Sequence, residues 1–246
     1  RLWHCMAGTN VTTPLNVKRH EIKFYISYAD YEHTRNVLSH MMETDPHQAD
    51  PRGYFIRSLY FDDVYDSSVE EKLDGIEKRD KYRIRIYDTA QQWAKLERKR
   101  KHNQYVDKSS VTISRSEAEC LINGNADFLL TKNNAAARSI YFDFARKYFR
   151  PTVVVDYDRE VFILDYNEIR VTFDKQLRVS TSDFDLFSPN LVTQPLQRAD
   201  TIIMEVKFNV CLPPWFATLL NLDGTTAQAI SKYCQGRMHL REFYLD

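Results

Sequence analysis

Apolar and polar positions alternate along most of this chain. In "DKYRIRIYD" (80–88), Tyr82, Ile84 and Ile86 fall on one side of a strand, and Lys81, Arg83 and Arg85 on the other. The same period of two runs through "HEIKFYI" (20–26), "YFIRSLYFD" (54–62), "KYRIRIYD" (81–88), "QWAKLERKRK" (92–101), "QYVDKSSVTI" (104–113), "TVVVDYDREVFI" (152–163), "IRVTFDKQLRVST" (169–181) and "TIIMEVKF" (201–208). Helical spacing occupies some of the gaps. Residues 28–43 put Leu38, Met41 and Met42 on one face. Ser114 and Glu117 form a capping box for a short helix that Gly124 stops. Residues 136–149 read as an amphipathic helix ended by Pro151, and Pro214 opens a helix over 214–221. Thr225 or Thr226 caps a last helix through "AQAISKYCQG", with Gly236 as its stop.

No Pro/Ser-rich linker, repeat or low-complexity tract interrupts this series. The expectation is an α+β protein with one folded domain over residues 19–246. Its mostly antiparallel strands, about eight of them, close into a barrel with flanking helices. Residues 1–18 read as a lead-in, disordered or foreign to the natural chain. They lack the continuous apolar stretch of a signal peptide, and Asn10-Val11-Thr12 matches a glycosylation sequon that chance often produces.

Composition narrows the function. The chain has 246 residues, with 34 Lys plus Arg against 34 Asp plus Glu, so no overall field recruits a polyanion, and anion binding has to come from local segregation of charge. The 15 Tyr and 14 Phe against 6 Gly favour β structure over a glycine-rich nucleotide fold. Cys5, Cys120, Cys211 and Cys234 form no CxxC pair, which argues against structural zinc and suits a reducing compartment. No apolar run reaches the ~18–20 residues that span a membrane.

Segregation is what the alternation delivers. Glu21, Lys23 and Tyr25 share a face, as do Arg83 with Arg85, and Lys95, Glu97, Lys99 with Lys101. So do Val155, Tyr157 and Arg159, then Arg170, Thr172 and Asp174, and finally Glu205 with Lys207. Arg57 is set among apolar neighbours. One charged strand face is ordinarily a solvated face. Several in series, dominated by Arg and Lys, repel one another unless a polyanion fills the space between them. Arginine offers planar paired donors to phosphate oxygens, and lysine a point charge. The carboxylates two residues from a lysine, Glu21/Lys23, Glu97/Lys99 and Glu205/Lys207, call for a divalent ion bridging to phosphate. The chemistry this implies is phosphoryl transfer.

"EIKF", "RSLYFDD", "YRIRIY", "LERK", "DYDRE", "RVTFD", "MEVKF" and "SKY" occur in the order of the triphosphate tunnel fold, and resemble most its vacuolar transporter chaperone (VTC) branch, the inorganic polyphosphate polymerases. The resemblance covers residues 19–240. It implies an eight-stranded antiparallel tunnel in which the end of a polyphosphate chain attacks the γ-phosphorus of ATP and ADP leaves, assisted by Mn2+ or Mg2+. It implies that Lys23, Arg83, Arg85 and Lys99 grip the phosphates and that Arg57 sits in the same cationic wall. Tyr157, Arg159 and Arg170 continue that wall. By the same resemblance Glu205 holds the metal beside Lys207, while Ser231 and Lys232 cap the tunnel from the C-terminal helix. Glu21 and Glu97 either bind metal or orient lysines. The triphosphatase branch opens with Glu-x-Glu-x-Lys, and here Arg19 takes the first position. That favours phosphate over hydroxide as nucleophile.

The resemblance implies ATP with inorganic polyphosphate, pyrophosphate or triphosphate as partners, no nucleic acid, and a cytoplasmic place that admits a membrane partner. Two rival readings stand beside the polymerase: a tunnel triphosphatase, and a binding module without turnover. His20 has outward parity. Trp93 and Trp215 read as packing anchors. Arg98 and Arg100 fall on the outer side of their strand. Asp62 ends a strand, and Asp174 either orients an arginine or binds metal.

Overall fold

A computed structural model of the chain describes residues 19–48, 50–102, 105–222 and 226–243. The expected lead-in, its sequon and a cap at Thr225 lie outside the described residues. The strands are β1 (Arg19–Ser27), β2 (Glu43–Thr44), β3 (Tyr54–Asp62), β4 (Lys78–Ile86), β5 (Trp93–His102), β6 (Tyr105–Ser114), β7 (Arg150–Leu164), β8 (Ile169–Ser180), β9 (Gln194–Pro195) and β10 (Thr201–Asn209). The helices are α1 (Tyr28–Ser39), α2 (Ser67–Leu73), α3 (Arg115–Ile122), α4 (Phe128–Thr131), α5 (Ala135–Lys147), α6 (Pro214–Leu219) and α7 (Lys232–Phe243). The protein is α+β, and its eight long strands follow the hydrogen-bonded order β1-β10-β8-β7-β3-β4-β5-β6, with β2 on β7 and β9 on β8. The mostly antiparallel sheet with flanking helices is the expected fold; among the described residues the hydrogen-bonded order runs from β1 to β6. The pairings with a resolved register are antiparallel.

The chain divides into two compact units. The first comprises 1–54, 158–176 and 198–230, and the second 55–157, 177–197 and 231–246; β7 and β8 run from one into the other. The first unit buries Phe24, Leu38, Phe162, Val171, Phe173, Met204 and Val206. Its helix α1 begins where Ser27 accepts the Asp30 amide hydrogen and Asp30 reaches back to the Ser27 amide. It ends at Ser39, earlier than its apolar spacing suggests, and Met41 is exposed. Fully buried Glu160 accepts from the Tyr31 hydroxyl at 2.5 Å and from Arg35 Nε at 2.7 Å, and Lys175 Nζ lies 3.3 Å away, so two cations neutralise a carboxylate that could not stay buried alone. Gly53 has φ +116°, and a Cβ there would stand 2.4 Å from the Arg159 carbonyl oxygen, so only glycine fits.

The second unit buries Leu59, Phe61, Ile84, Ile86, Leu96, Val111 and Ile113 beneath α3 and α5 residues such as Leu121, Ile140 and Phe144. The Ser114–Glu117 capping box is present. Helix α7 begins at Lys232 rather than near residue 226, and Ser231 Oγ accepts the Cys234 amide hydrogen. Gly236 therefore sits inside the helix and does not stop it: a Cβ would come within 3.0 Å of Val153 Cγ2 and 3.2 Å of Val179 Cγ2, so the glycine permits close approach to the sheet. The Tyr233 hydroxyl donates to Asp62 Oδ2, and Arg237 pairs with Asp66. Asp62 Oδ1 also accepts from the Asp63 and Ser68 amides, which makes it a structural end to β3. Cys120 and Cys234 carry free thiols. Among the described residues no helix is long and apolar enough to cross a membrane.

Candidate functional site

The expected site residues fall into two groups, one in each unit. In the first unit, antiparallel register sets Lys23 opposite Glu205 and Glu21 opposite Lys207 on β1 and β10, and sets Glu205 opposite Thr172 and Lys207 opposite Arg170 on β10 and β8. The apolar residues between them go into the core, which forces these side chains to the other face. Lys23 Nζ lies 2.7 Å from Glu21 Oε1 and 3.2 Å from Glu205 Oε2, and Lys207 Nζ lies 2.5 Å from Glu205 Oε1. Burial works against the Glu205 carboxylate, but Lys207, Lys23 and Arg159 outweigh it and hold the group well below the usual carboxylate range. Burial likewise disfavours the Lys23 ammonium, and Glu205 with Glu21 pushes its pKa above the ordinary value.

Arginines in this unit are clamped. Arg159 makes a two-pronged pair with Asp174 at 2.7 and 2.8 Å, so Asp174 orients an arginine. Arg170 Nη2 donates to Asp45 Oδ2 at 2.7 Å, a partner from the turn after β2 that strand parity does not reveal. Two carboxylates, Glu21 and Glu205, converge on a single ammonium. That donor pair fits a hard divalent ion, which takes one or two carboxylates and completes its shell with phosphate and water. Among the described residues no group of three or more His, Cys, Asp or Glu side chains is placed to hold a metal alone.

In the second unit, β3, β4, β5 and β6 form rungs across one face. Tyr60, Arg83, Glu97 and Ser110 share one rung; Ser58, Arg85, Lys95 and Thr112 share the next; Lys81, Lys99 and Lys108 share a third. Arg83 Nε donates to Glu97 Oε2 at 2.6 Å, Lys108 Nζ lies 2.9 Å from Glu97 Oε1, and Arg85 Nη1 lies 3.9 Å from Glu97 Oε2. Burial opposes the Glu97 charge, but Arg83, Arg85 and Lys108 bring its pKa down to about 2. Glu97 therefore orients cations.

Helix α7 brings Ser231 and Lys232 to the same face. Lys81 Nζ donates to Ser231 Oγ at 3.0 Å, and Lys232 Nζ lies over the Tyr157 ring, 4.9 Å from its centroid. Burial pulls the Lys81 ammonium below its ordinary pKa. The sequence reading saw Lys81 on the cationic face without assigning it a part in the site. It missed Tyr60 altogether. The Arg83 Nη1 group donates to the Tyr60 hydroxyl at 3.2 Å. Burial raises this phenol's pKa, yet Arg83, Arg85 and Lys232 overcome that and bring it below the ordinary tyrosine value. The signal was available, because Tyr60 has the parity that pairs it with Arg83.

Several expectations are corrected. Arg57 lies on the opposite side of β3, with Leu59 and Phe61, because it pairs with Ile86. It is 4% exposed; its Nε and Nη2 bind Asp156 at 2.9 and 2.8 Å, and its Nη1 donates to the Leu186 and Ser188 carbonyls. It is a structural arginine outside the cationic wall. Arg98 keeps the expected parity away from Lys99, but it is buried beneath α5 rather than on the surface, donating to Ser139 and Ser109. Trp93 and Trp215 are half exposed and anchor no core.

The strand order and the alternating charged faces of each unit agree with the α+β fold that the sequence leads one to expect. The chain belongs to the VTC domain family, which matches residues 18–241. Among solved structures it is similar to HpAC1 from Hippeastrum, an adenylyl cyclase candidate with a dominant triphosphatase activity: 15% identity, 89% of this chain and 95% of that one, TM-score 0.53. An adenylate cyclase candidate from Bacillus halodurans aligns at 12% identity over 87% of this chain and 95% of that one, TM-score 0.49. No curated protein matches the chain.

Proposed function

We propose that the protein is a polyphosphate polymerase: it transfers the γ-phosphate of ATP to the end of an inorganic polyphosphate chain and releases ADP. The observation that carries this reading is the Arg83–Arg85 pair, whose planar donors share one face with Lys81, Lys95, Lys99 and Lys108 in a chain of the VTC domain family. In the transferring phosphoryl group charge spreads over the equatorial oxygens, and fixed cations stabilise it without having to reorganise. Arg83, held by Glu97 and Tyr60, and Arg85, beside Ser58, supply donors of that kind. Lys99 and Lys232 add point charges. Lys23, Lys207, Arg159 and Arg170 serve phosphate in the first unit, with Tyr157 and Ser231 positioning Lys232 and Lys81. Glu205 and Glu21 would hold Mn2+ or Mg2+, which supplies charge neutralisation to the phosphate oxygens.

Arg19 supports transfer to phosphate over hydrolysis. It stands two positions before Glu21 and pairs with Glu168 at 2.6 Å, so β1 begins with a cation where a further carboxylate would help hold a water-activating metal. A triphosphatase is the second reading, favoured by the activity of HpAC1, which shares the fold. Incubation with ATP, Mn2+ and a short polyphosphate primer separates them. The polymerase reading requires growth of a long polyanion in step with ADP. Orthophosphate release without polymer overturns it in favour of hydrolysis, and tight binding without turnover reduces the protein to a binding module.

A further inference from the structure

Helix α5 turns two different faces to its surroundings. Ala137, Ile140 and Phe144 go into the core. Asp143, the one carboxylate of the helix, accepts from the Tyr82 hydroxyl at 2.7 Å and pairs with Arg98 at 3.4 Å, so its charge is spent inward. The outer side is left with Arg138, Phe142 and Arg146, which stack along one stripe at i, i+4 and i+8. Arg138 and Arg146 are exposed, as is Arg150 just past the helix, and their guanidinium groups are unpaired among the described residues. Phe142 stands between the first two and is 63% exposed. Tyr148 ends the helix at φ +52°, a conformation that favours glycine or asparagine, and is 77% exposed. The described residues give this ring no burial to offset the backbone strain.

The connection from β3 to β4 carries the opposite charge. Residues 63–77 hold six carboxylates against one lysine, which makes the segment strongly negative. Val64, Tyr65, Leu73 and Ile76 are exposed there, Tyr65 at 83%. Asp74 and Glu77 are exposed and, among the described residues, unpaired. Burial lifts the Glu71 carboxyl above its ordinary pKa; Lys147 of α5 opposes this, and Asp80, Asp62 and Asp63 add to it. Lys147 also acts on Asp63, so the end of α5 lies beside this segment. Both stretches belong to the second unit. Exposed apolar side chains in this number mark an interaction surface, and aromatic residues with arginine are the composition of one. Adjoining patches of opposite sign complement themselves about a two-fold axis, because each basic patch then meets the acidic patch of the other copy.

We propose that the outer face of α5 and the β3–β4 connection form the interface of a homodimer. The arginines of one copy meet Glu71, Asp74 and Glu77 of the other, while Phe142 and Tyr148 pack against Leu73 and Ile76. The chain has 34 Lys plus Arg and 34 Asp plus Glu, so no net charge opposes self-association. The pairing does not depend on the phosphoryl-transfer reading.

Sedimentation equilibrium of the intact chain over a range of concentrations tests this. A dimer that dissociates on dilution, more readily in salt, is expected for an interface of this charge. A monomer over the whole range at low salt overturns the proposal. Phe142→Ala is expected to weaken association roughly 5- to 30-fold, as for loss of an aromatic anchor. Arg138→Glu with Arg146→Glu, and separately Asp74→Lys with Glu77→Lys, should each leave the chain monomeric, because like charges then face each other. An equimolar mixture of the two charge-reversed variants should dimerise again, since the reversed and the retained patches are then opposite in sign; this recovery also reports that both variants fold. A dimer that persists in both variants, or a mixture that stays monomeric, overturns the interface.

Discussion

The two cationic clusters share their ingredients and differ in how the carboxylates are used. In the first unit Lys23 and Lys207 alternate with Glu21 and Glu205, while Arg159 and Arg170 are each clamped by an aspartate. In the second unit Glu97 is met by Arg83, Arg85 and Lys108 together, and further cations line the neighbouring rungs. The first arrangement balances each carboxylate with lysine ammonium groups. The second sets a concentration of positive charge around one carboxylate and a phenol, which is what a phosphate group requires. The same alternation of residues thus yields a cluster where glutamates match lysines, and one where cations outnumber the carboxylate.

The largest effect that would break this contrast is on turnover. Glu205→Gln should abolish metal-dependent activity, beyond the roughly 10- to 100-fold that loss of a metal-supporting partner costs; steady-state rates across a Mn2+ titration measure it, and an unaltered metal dependence would remove the first cluster from the metal role. Next comes stability. Arg57→Ala strands Asp156 buried and unpaired, at a cost of about 3–5 kcal/mol, read as a lower denaturant midpoint; an equally large loss of stability in Arg83→Ala would erase the distinction between structural and ligand-binding arginines.

Acid sharpens the comparison further. Glu97 is folded with its pKa down to about 2, below the ordinary 4.5. A depressed carboxylate stabilises the fold above its unfolded value, and that stability is lost as pH falls from about 4.5 through about 2. The difference corresponds to roughly 3 kcal/mol. Glu97→Gln should therefore lose less stability over this window than wild type in acid denaturation curves. The smallest effect expected is a severalfold fall in kcat for Tyr60→Phe, in keeping with about 1 kcal/mol for one neutral hydrogen bond. Substrate affinity should hardly change.

Strand parity made most of this legible from sequence. Where apolar residues alternate with Lys, Arg and Glu, as in β1, β4, β5 and β10, burial of one set leaves the other no choice of face. Parity failed where the partner comes from elsewhere in the chain. The family resemblance put Arg57 in the cationic wall although its parity already set it among apolar neighbours, and its pairing with Asp156 on β7 makes it structural. Asp45, which holds Arg170, sits in a turn with no periodicity to read. The end of α7 was misplaced because Gly236 carries two possible meanings in sequence, a stop or a close approach, and only the valines beneath it decide. Trp93 was read as a packing anchor on residue type alone, although its parity with Lys95 already put it on the charged face.

A crystal structure with a non-hydrolysable ATP analogue and Mn2+ tests the central claim most directly. The account predicts phosphate oxygens within hydrogen-bonding distance of Arg83 and Arg85. An analogue seated on another surface, with Arg83 and Arg85 still turned wholly to Glu97, Tyr60 and Ser58, would contradict it.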